Sequence, residues 1–331
     1  MPVVQPVMNG VHRGMAIFAP IADDLAEVER LFARKLASHR GHVASLINHL
    51  EQYRGKRLRP ALLLLAAGAC GRILPAHHIL GAVVAMIHTA TLVHDDVLDE
   101  ADLRRHVHTI NSGWGNQASI LLGDMLFSHA FHLASAVDAT ACEIIGRSTN
   151  RVCEGELHQV NDRGNMQLSE EAYFDIIDGK TAELTSCCCR LGALYAGASG
   201  DVIDQLSAYG RALGIAFQIA DDLLDLTGIE ESTGKTLGTD LAQGKLTLPI
   251  IHMLERLQSE KAATVRSLLA DPNTPREALS PYLKQTNALS YARRRAEENA
   301  AMARGSLTIL PPSEFRSLLM SLTDWTVRRE K

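Results

Sequence analysis

The sequence predicts an all-α protein, and three observations carry that prediction. Prolines fall at positions 2, 6, 20, 60 and 75 and then not again until Pro249. Proline in a helix interior removes a hydrogen bond and clashes with the preceding turn, so the gap from 76 to 248 marks long uninterrupted helices. Only 5% of residues are aromatic, and no segment alternates apolar and polar residues long enough for a strand. At 46% apolar and 21% charged over 331 residues, the chain is neither disordered nor fibrous, and it can bury a large core.

Taken in order, residues 1–20 read as a loose tail and 21–331 as one domain, because no Pro/Gly/Ser-rich linker interrupts them. Segment 21–53 has the mixed charge of one or two amphipathic helices. The loop Arg54 to Pro60 leads into a very apolar helix at 61–70. Segment 79–104 reads as a buried helix that turns acidic toward its C-terminal end. Further helices are expected at 117–136, 139–161, 169–189, 201–227, 244–256, 288–304 and 313–329.

The balance of charges excludes some functions. A net charge of -5 without a long Lys/Arg block leaves no basic face for nucleic acid. No run reaches the roughly 20 apolar residues of a membrane span, and the N-terminus shows no secretory signal, so a cytoplasmic protein is expected. The six cysteines contain no CxxC pair. Neighbours such as Cys187, Cys188 and Cys189 point about 100° apart around a helix, so free, packed thiols are expected in place of a metal site.

The chemistry is concentrated in a motif that occurs twice, Asp95-Asp96-Val97-Leu98-Asp99 and Asp221-Asp222-Leu223-Leu224-Asp225. On a helix the third carboxylate lies four residues from the first and three from the second, so each triad shares one face. One such triad reads as a solvated acidic face. Two, each preceded by apolar helix, exceed chance and predict facing helices with metal sites at the mouth of an apolar cavity. Clustered carboxylates repel unless a cation compensates, and Mg²⁺ suits oxygen ligands whose shell substrate phosphates complete. Basic residues suited to phosphate accompany them: Lys56, Arg57 and Arg59 before a helix, Arg104 and Arg105 after the first motif, and Lys180, Lys235 and Lys245 near the second. The segment 228–236, GIEESTGKT, imitates a nucleotide-binding loop, but five residues separate its glycines where that motif has four, and it follows a helix.

These residues lie in longer motifs: GKRLRP at 55–60, HTATLVHDDVLDEADLRR at 88–105, GNQASILLGDMLFSHAF at 115–131, EGE at 154–156, KTAEL at 180–184, FQIADDLLD at 217–225 and GKTLGTDLAQGKLTLP at 234–249. In them the chain resembles the all-trans polyprenyl diphosphate synthases, most closely the long-chain members of the octaprenyl type. The resemblance implies a helical bundle with a central apolar tunnel, usually a homodimer. It assigns Asp95, Asp96, Asp99, Asp221, Asp222 and Asp225 to about three Mg²⁺ ions that hold an allylic diphosphate. Arg104, Lys180, Thr181, Gln218 and Lys235 look like contacts to that diphosphate, with Lys180 counted in the catalytic set. Lys56, Arg59, His88 and Arg105 look like a cradle for isopentenyl diphosphate, and Lys245 matches the family segment. Ala90 and Thr91, five and four residues before Asp95, are small where shorter-product relatives place aromatics. This implies a long product of about C40, with the next barrier on the helix of Phe127, Phe131, Leu133 and Ala134. Two departures stand out: Arg54 and Gly55 where relatives carry a glycine run, and His106 to His108 where a glycine is common. The alternatives are a geranylgeranyl or farnesyl diphosphate synthase, a terpene cyclase, and a non-catalytic subunit of a hetero-oligomeric synthase.

Overall fold

The structure, a computed structural model, describes residues 17–52, 57–104, 107–228, 238–271 and 274–328. The anticipated tail falls mostly outside these residues, although Ile17 is already buried in the core. The chain is all-α. Segment 21–53 divides into α1 (Ala22–Leu36) and α2 (Gly41–Gln52), followed by α3 (Leu58–Ala69) and α4 (Pro75–Leu98). After a hairpin of two-residue strands come α5 (Ile110–Trp114), α6 (Asn116–Ser135), α7 (Ala139–Asn161) and α8 (Glu170–Ile177). Then follow α9 (Glu183–Tyr195), α10 (Gly200–Thr227), α11 (Thr239–Ala242), α12 (Leu248–Arg256) and α13 (Ser259–Leu269). The C-terminal elements are α14 (Ser280–Gln285), α15 (Ala288–Ser306) and α16 (Glu314–Val327).

The prolines that bound the gap explain themselves. Pro75 opens α4 and Pro249 opens α12, both in the first turn. There the missing N–H costs nothing and the fixed φ suits the helix. Between them, α3 is apolar all round, with every residue from Ala61 to Ala67 fully buried, the pattern of a helix with no solvent face. It packs on α4 and α9; α4 in turn packs on α1 and α6, and α10 lies between α9 and α15. Among the described helices, α4 alone is long and apolar enough to cross a membrane. Packing explains its composition, since Leu80, Val83, Val84, Met86, Ile87 and Val93 are sealed inside the main core. Each such side chain contributes roughly 1.5–3 kcal/mol.

Two apolar clusters result. The larger joins α1, α3, α4, α6 and α9, and the smaller joins α8, the C-terminal half of α10, α12 and α15. The acidic ends of α4 and α10 are tied together by contacts from the turns that follow α7 and α11. All six cysteines are free, and Cys187, Cys188 and Cys189 are buried in α9, where desolvation pushes the Cys187 thiol up to about 12.

Candidate active site

The expected helix 79–104 stops at Asp99, which caps α4. Glu100 follows with a left-handed φ of 50°, a conformation that halts a helix and reverses the chain. The reversal runs into the hairpin of Leu103–Arg104 with Val107–His108 and returns the Arg104 guanidinium to the motif it follows. Its Nε donates to Asp96 Oδ1 at 2.8 Å and its Nη2 lies 2.7 Å from the same oxygen. Asp96 is 0% exposed, so this carboxylate points inward, unlike the half-buried Asp95 and Asp99.

The second triad divides in the same way. Asp222 is 4% exposed and has both oxygens engaged: Tyr173 Oη donates to one at 2.6 Å and Gln218 Nε2 to the other at 2.7 Å. Thr181 donates to Gln218 Oε1 at 2.8 Å, which orients that amide. Asp221 and Asp225 are half-buried. Asp225 accepts from the Thr239 hydroxyl at 3.1 Å and the Asp240 backbone N–H at 3.2 Å.

Lys180 and Thr181 lie on a single π-helical turn, Asp178–Ala182, between α8 and α9. This segment meets α7 glycine to glycine. A side chain on Gly155 would come within 2.4 Å of the Lys180 backbone nitrogen, so only glycine allows the approach. The approach brings Lys180 Nζ to 2.5 Å from Glu156, 2.7 Å from Gln159 Oε1 and 3.9 Å from Asp95. Burial works against the Lys180 charge, but Asp95 and Glu156 outweigh it and hold the ammonium above its ordinary range. Lys245 Nζ lies 3.0 and 3.1 Å from the two oxygens of Asp99. Lys180 and Lys245 also line one cavity of about 190 Å³ together with Asp221, Asp222 and Asp240. Two lysines therefore connect the acidic end of α4 to that of α10.

Carboxylates still outnumber cations here. Desolvation pushes the Asp95 carboxyl up to about 6, only partly offset by Lys180. It pushes Asp222 up to about 7 despite the Tyr173 and Gln218 hydrogen bonds. Asp225 is raised by burial, and Asp240 far more so, by burial and then by Asp222 and Asp225.

Two buried acceptors, Asp96 Oδ2 and Glu156 Oε1, have no partner among the described residues. No three His, Cys, Asp or Glu side chains among the described residues form a ready-made metal cage. A hard oxygen donor set that is incomplete on its own fits Mg²⁺, which keeps waters and shares phosphates.

Arg59 lies deeper. Its Nη1 is 2.9 Å from His88 Nε2, its Nε is buried without a partner among the described residues, and desolvation lowers its pKa. Lys56, Arg105 and Lys235 lie outside the described residues. Ala90 is buried, and Thr91 is half-buried with its hydroxyl on the His88 carbonyl at 2.8 Å. On α6, Leu133 and Ala134 are buried and Phe127 packs on the core, but Phe131 is exposed. Of the four α6 candidates, Phe127, Leu133 and Ala134 therefore face the interior and Phe131 does not.

Sequence reasoning missed Gln159, Tyr173 and Arg163. Glu156 and Asp240 were flagged only as letters of longer motifs, and Tyr173 and Arg163 carry no local signal at all.

Residues 41–285 match the family model described as polyprenyl synthetase. The octaprenyl diphosphate synthase of Escherichia coli is 37% identical over 318 residues, 94% of this chain and 97% of that one. The crystal structure of a decaprenyl diphosphate synthase from Rhodobacter capsulatus superposes with a TM-score of 0.90 at 35% identity, covering 96% of this chain and 99% of its own. A polyprenyl synthase from Caulobacter crescentus, complexed with calcium and isoprenyl diphosphate, also reaches 0.90, at 32% identity over 99% of this chain and all of its own. By fold, acidic motifs and likeness along nearly its whole length, the chain belongs to the polyprenyl synthetase family and is a prenyltransferase.

Proposed function

We propose that the enzyme adds isopentenyl diphosphate units to an allylic diphosphate, with trans geometry, to give an octaprenyl-length product of about C40. The observation that carries this reading is the pair of lysines, Lys180 and Lys245, set between the two aspartate-bearing helices over one cavity. Such a site binds a diphosphate between two acidic clusters with cations on every side. Asp95, Asp99, Asp221 and Asp225 would hold Mg²⁺, which would supply the charge neutralisation that an allylic diphosphate needs in order to leave.

The remaining steps fall to the chain itself. Lys180 and Lys245 add positive charge where the leaving group becomes more negative. Asp96 holds Arg104 in place, and Thr181 and Gln218 hold Asp222. Leu168, Ile176, Ile177 and Leu246 form the apolar part of the cavity wall and exclude water, so the allylic cation meets the double bond of isopentenyl diphosphate. Arg59, backed by His88 and with a buried Nε that has no partner among the described residues, suits that second diphosphate. The proton lost after condensation passes to the departing diphosphate, and no protein nucleophile is required.

Incubation with Mg²⁺, farnesyl diphosphate and isopentenyl diphosphate, followed by chromatography of the prenyl products, tests the reading. Elongation to about C40 is expected, and binding without elongation points to a non-catalytic subunit. In the same assay Ala90→Tyr, with Thr91→Tyr as its less buried companion, is expected to shorten the products by several units. An unchanged distribution removes these positions from the tunnel.

The proposal extends to a homodimer. Ile120 and Leu121 on α6, and Leu157 and Val160 on the neighbouring α7, are exposed at 45%, 68%, 67% and 38%, apolar residues on adjacent helices that a second copy would cover. Leu121→Glu is expected to shift the protein to monomer in sedimentation velocity; a dimer of wild-type affinity rules this face out.

A further inference from the structure

The turn after α7 brings Arg163 to the C-terminal end of α4, a contact that nothing in the local sequence announces. Arg163 Nη2 donates to Asp99 Oδ1 at 2.6 Å and Nη1 to the Leu98 carbonyl at 2.9 Å. Lys245 lies on both oxygens of the same carboxylate, and Gln243 Nε2 donates to the Asp99 backbone carbonyl at 3.1 Å. The two turns that supply these donors are fastened to each other, because Gly164 N–H donates to the Gly244 carbonyl at 2.8 Å. Asp99 caps α4 at the negative end of its dipole, where a carboxylate is costly without a cation.

The two cations differ in what else they face. Lys245 lines the cavity, whereas Arg163 is not part of its wall. Arg163 is held from behind by Leu98, and its Nε is buried without a partner among the described residues. Its one ionic contact among the described residues is therefore with the carboxylate that the proposed reading gives to the metal.

We infer that Arg163 is a positioning residue that competes with Mg²⁺ for the Asp99 carboxylate, setting the metal concentration at which the diphosphate site assembles. The inference rests on the metal-site reading above. Arg163 and Lys245 share Asp99 Oδ1, so the guanidinium contact must loosen before a cation can take that oxygen. The expected sign follows. Loss of a substrate-contacting arginine weakens binding of metal and diphosphate, but loss of a competitor strengthens it.

The test is isothermal titration of Mg²⁺ into the full chain in the presence of inorganic diphosphate, for wild type, Arg163→Gln and Arg163→Lys. Arg163→Gln is expected to half-saturate at about tenfold lower Mg²⁺. Arg163→Lys, which keeps the charge but not the fork, should fall between the two and reports the effect even if the glutamine variant folds poorly. Unchanged Mg²⁺ affinity overturns the inference and leaves Arg163 a structural tie. Weaker affinity also overturns it and makes Arg163 a ligand contact. Failure of the wild type itself to bind Mg²⁺ with diphosphate overturns the metal-site reading, and the inference with it.

Discussion

Replacing Asp95 with asparagine is expected to lower the elongation rate by about a thousandfold while leaving the fold intact. Removing one preorganised group that stabilises transition-state charge costs about 10²–10³ in rate, and Asp95 carries a proposed metal position and lies 3.9 Å from Lys180. The same substitution removes a carboxylate whose ionised form is disfavoured by burial, so the metal-free variant should melt no lower than wild type above pH 7. Asp96→Asn should behave differently, because Asp96 is fully buried and anchors Arg104; there the melting temperature should fall together with the rate. Single-turnover product formation and thermal unfolding in EDTA separate the two cases. A rate for Asp95→Asn within tenfold of wild type would remove Asp95 from the site.

The second large effect is a pH-dependent stability difference centred on Asp222. Its folded-state carboxyl is raised from 3.8 to about 7, chiefly by desolvation. A group raised on folding binds its proton more tightly in the native state, so its contribution is fully present below pH 4 and is lost as pH rises through about 7. Other groups titrate nearby: burial lowers the pKa of His77, His129 and His252, which costs stability as pH falls below 6.5. Comparing wild type with Asp222→Asn cancels their contributions. In urea unfolding without metal, the asparagine variant should gain on wild type by a few kcal/mol between pH 4 and pH 8. A flat difference across that range would mean that Asp222 stays ionised when folded.

The limits of sequence reading are clearest at particular residues. Spacing places Asp95, Asp96 and Asp99 on one helical face, and in the structure they do lie within one turn. It cannot say that Asp96 turns inward, because that depends on where the chain goes after Asp99. The expected helix runs through Arg104, whereas the left-handed Glu100 stops it and folds Arg104 back. Likewise, 169–189 reads as one helix because propensity is indifferent to a single wide turn. The π-helical segment that aims Lys180 exists because Gly155 and Gly179 let two backbones touch.

The sequence alone determined the helical class, the buried character of α3 and α4, the two acidic helix ends and the family. All of these follow from local period, composition and contiguous motifs, which act over a few residues and can be read without coordinates. The tertiary structure alone decided that Asp221 and Asp222 line the cavity, that Lys180 and Lys245 bridge the two motifs, and that Tyr173 and Arg163 hold Asp222 and Asp99. Those pairs lie 49 and 64 residues apart in the chain. Their contact energies depend on how helices pack, and no pattern of neighbouring residues encodes that.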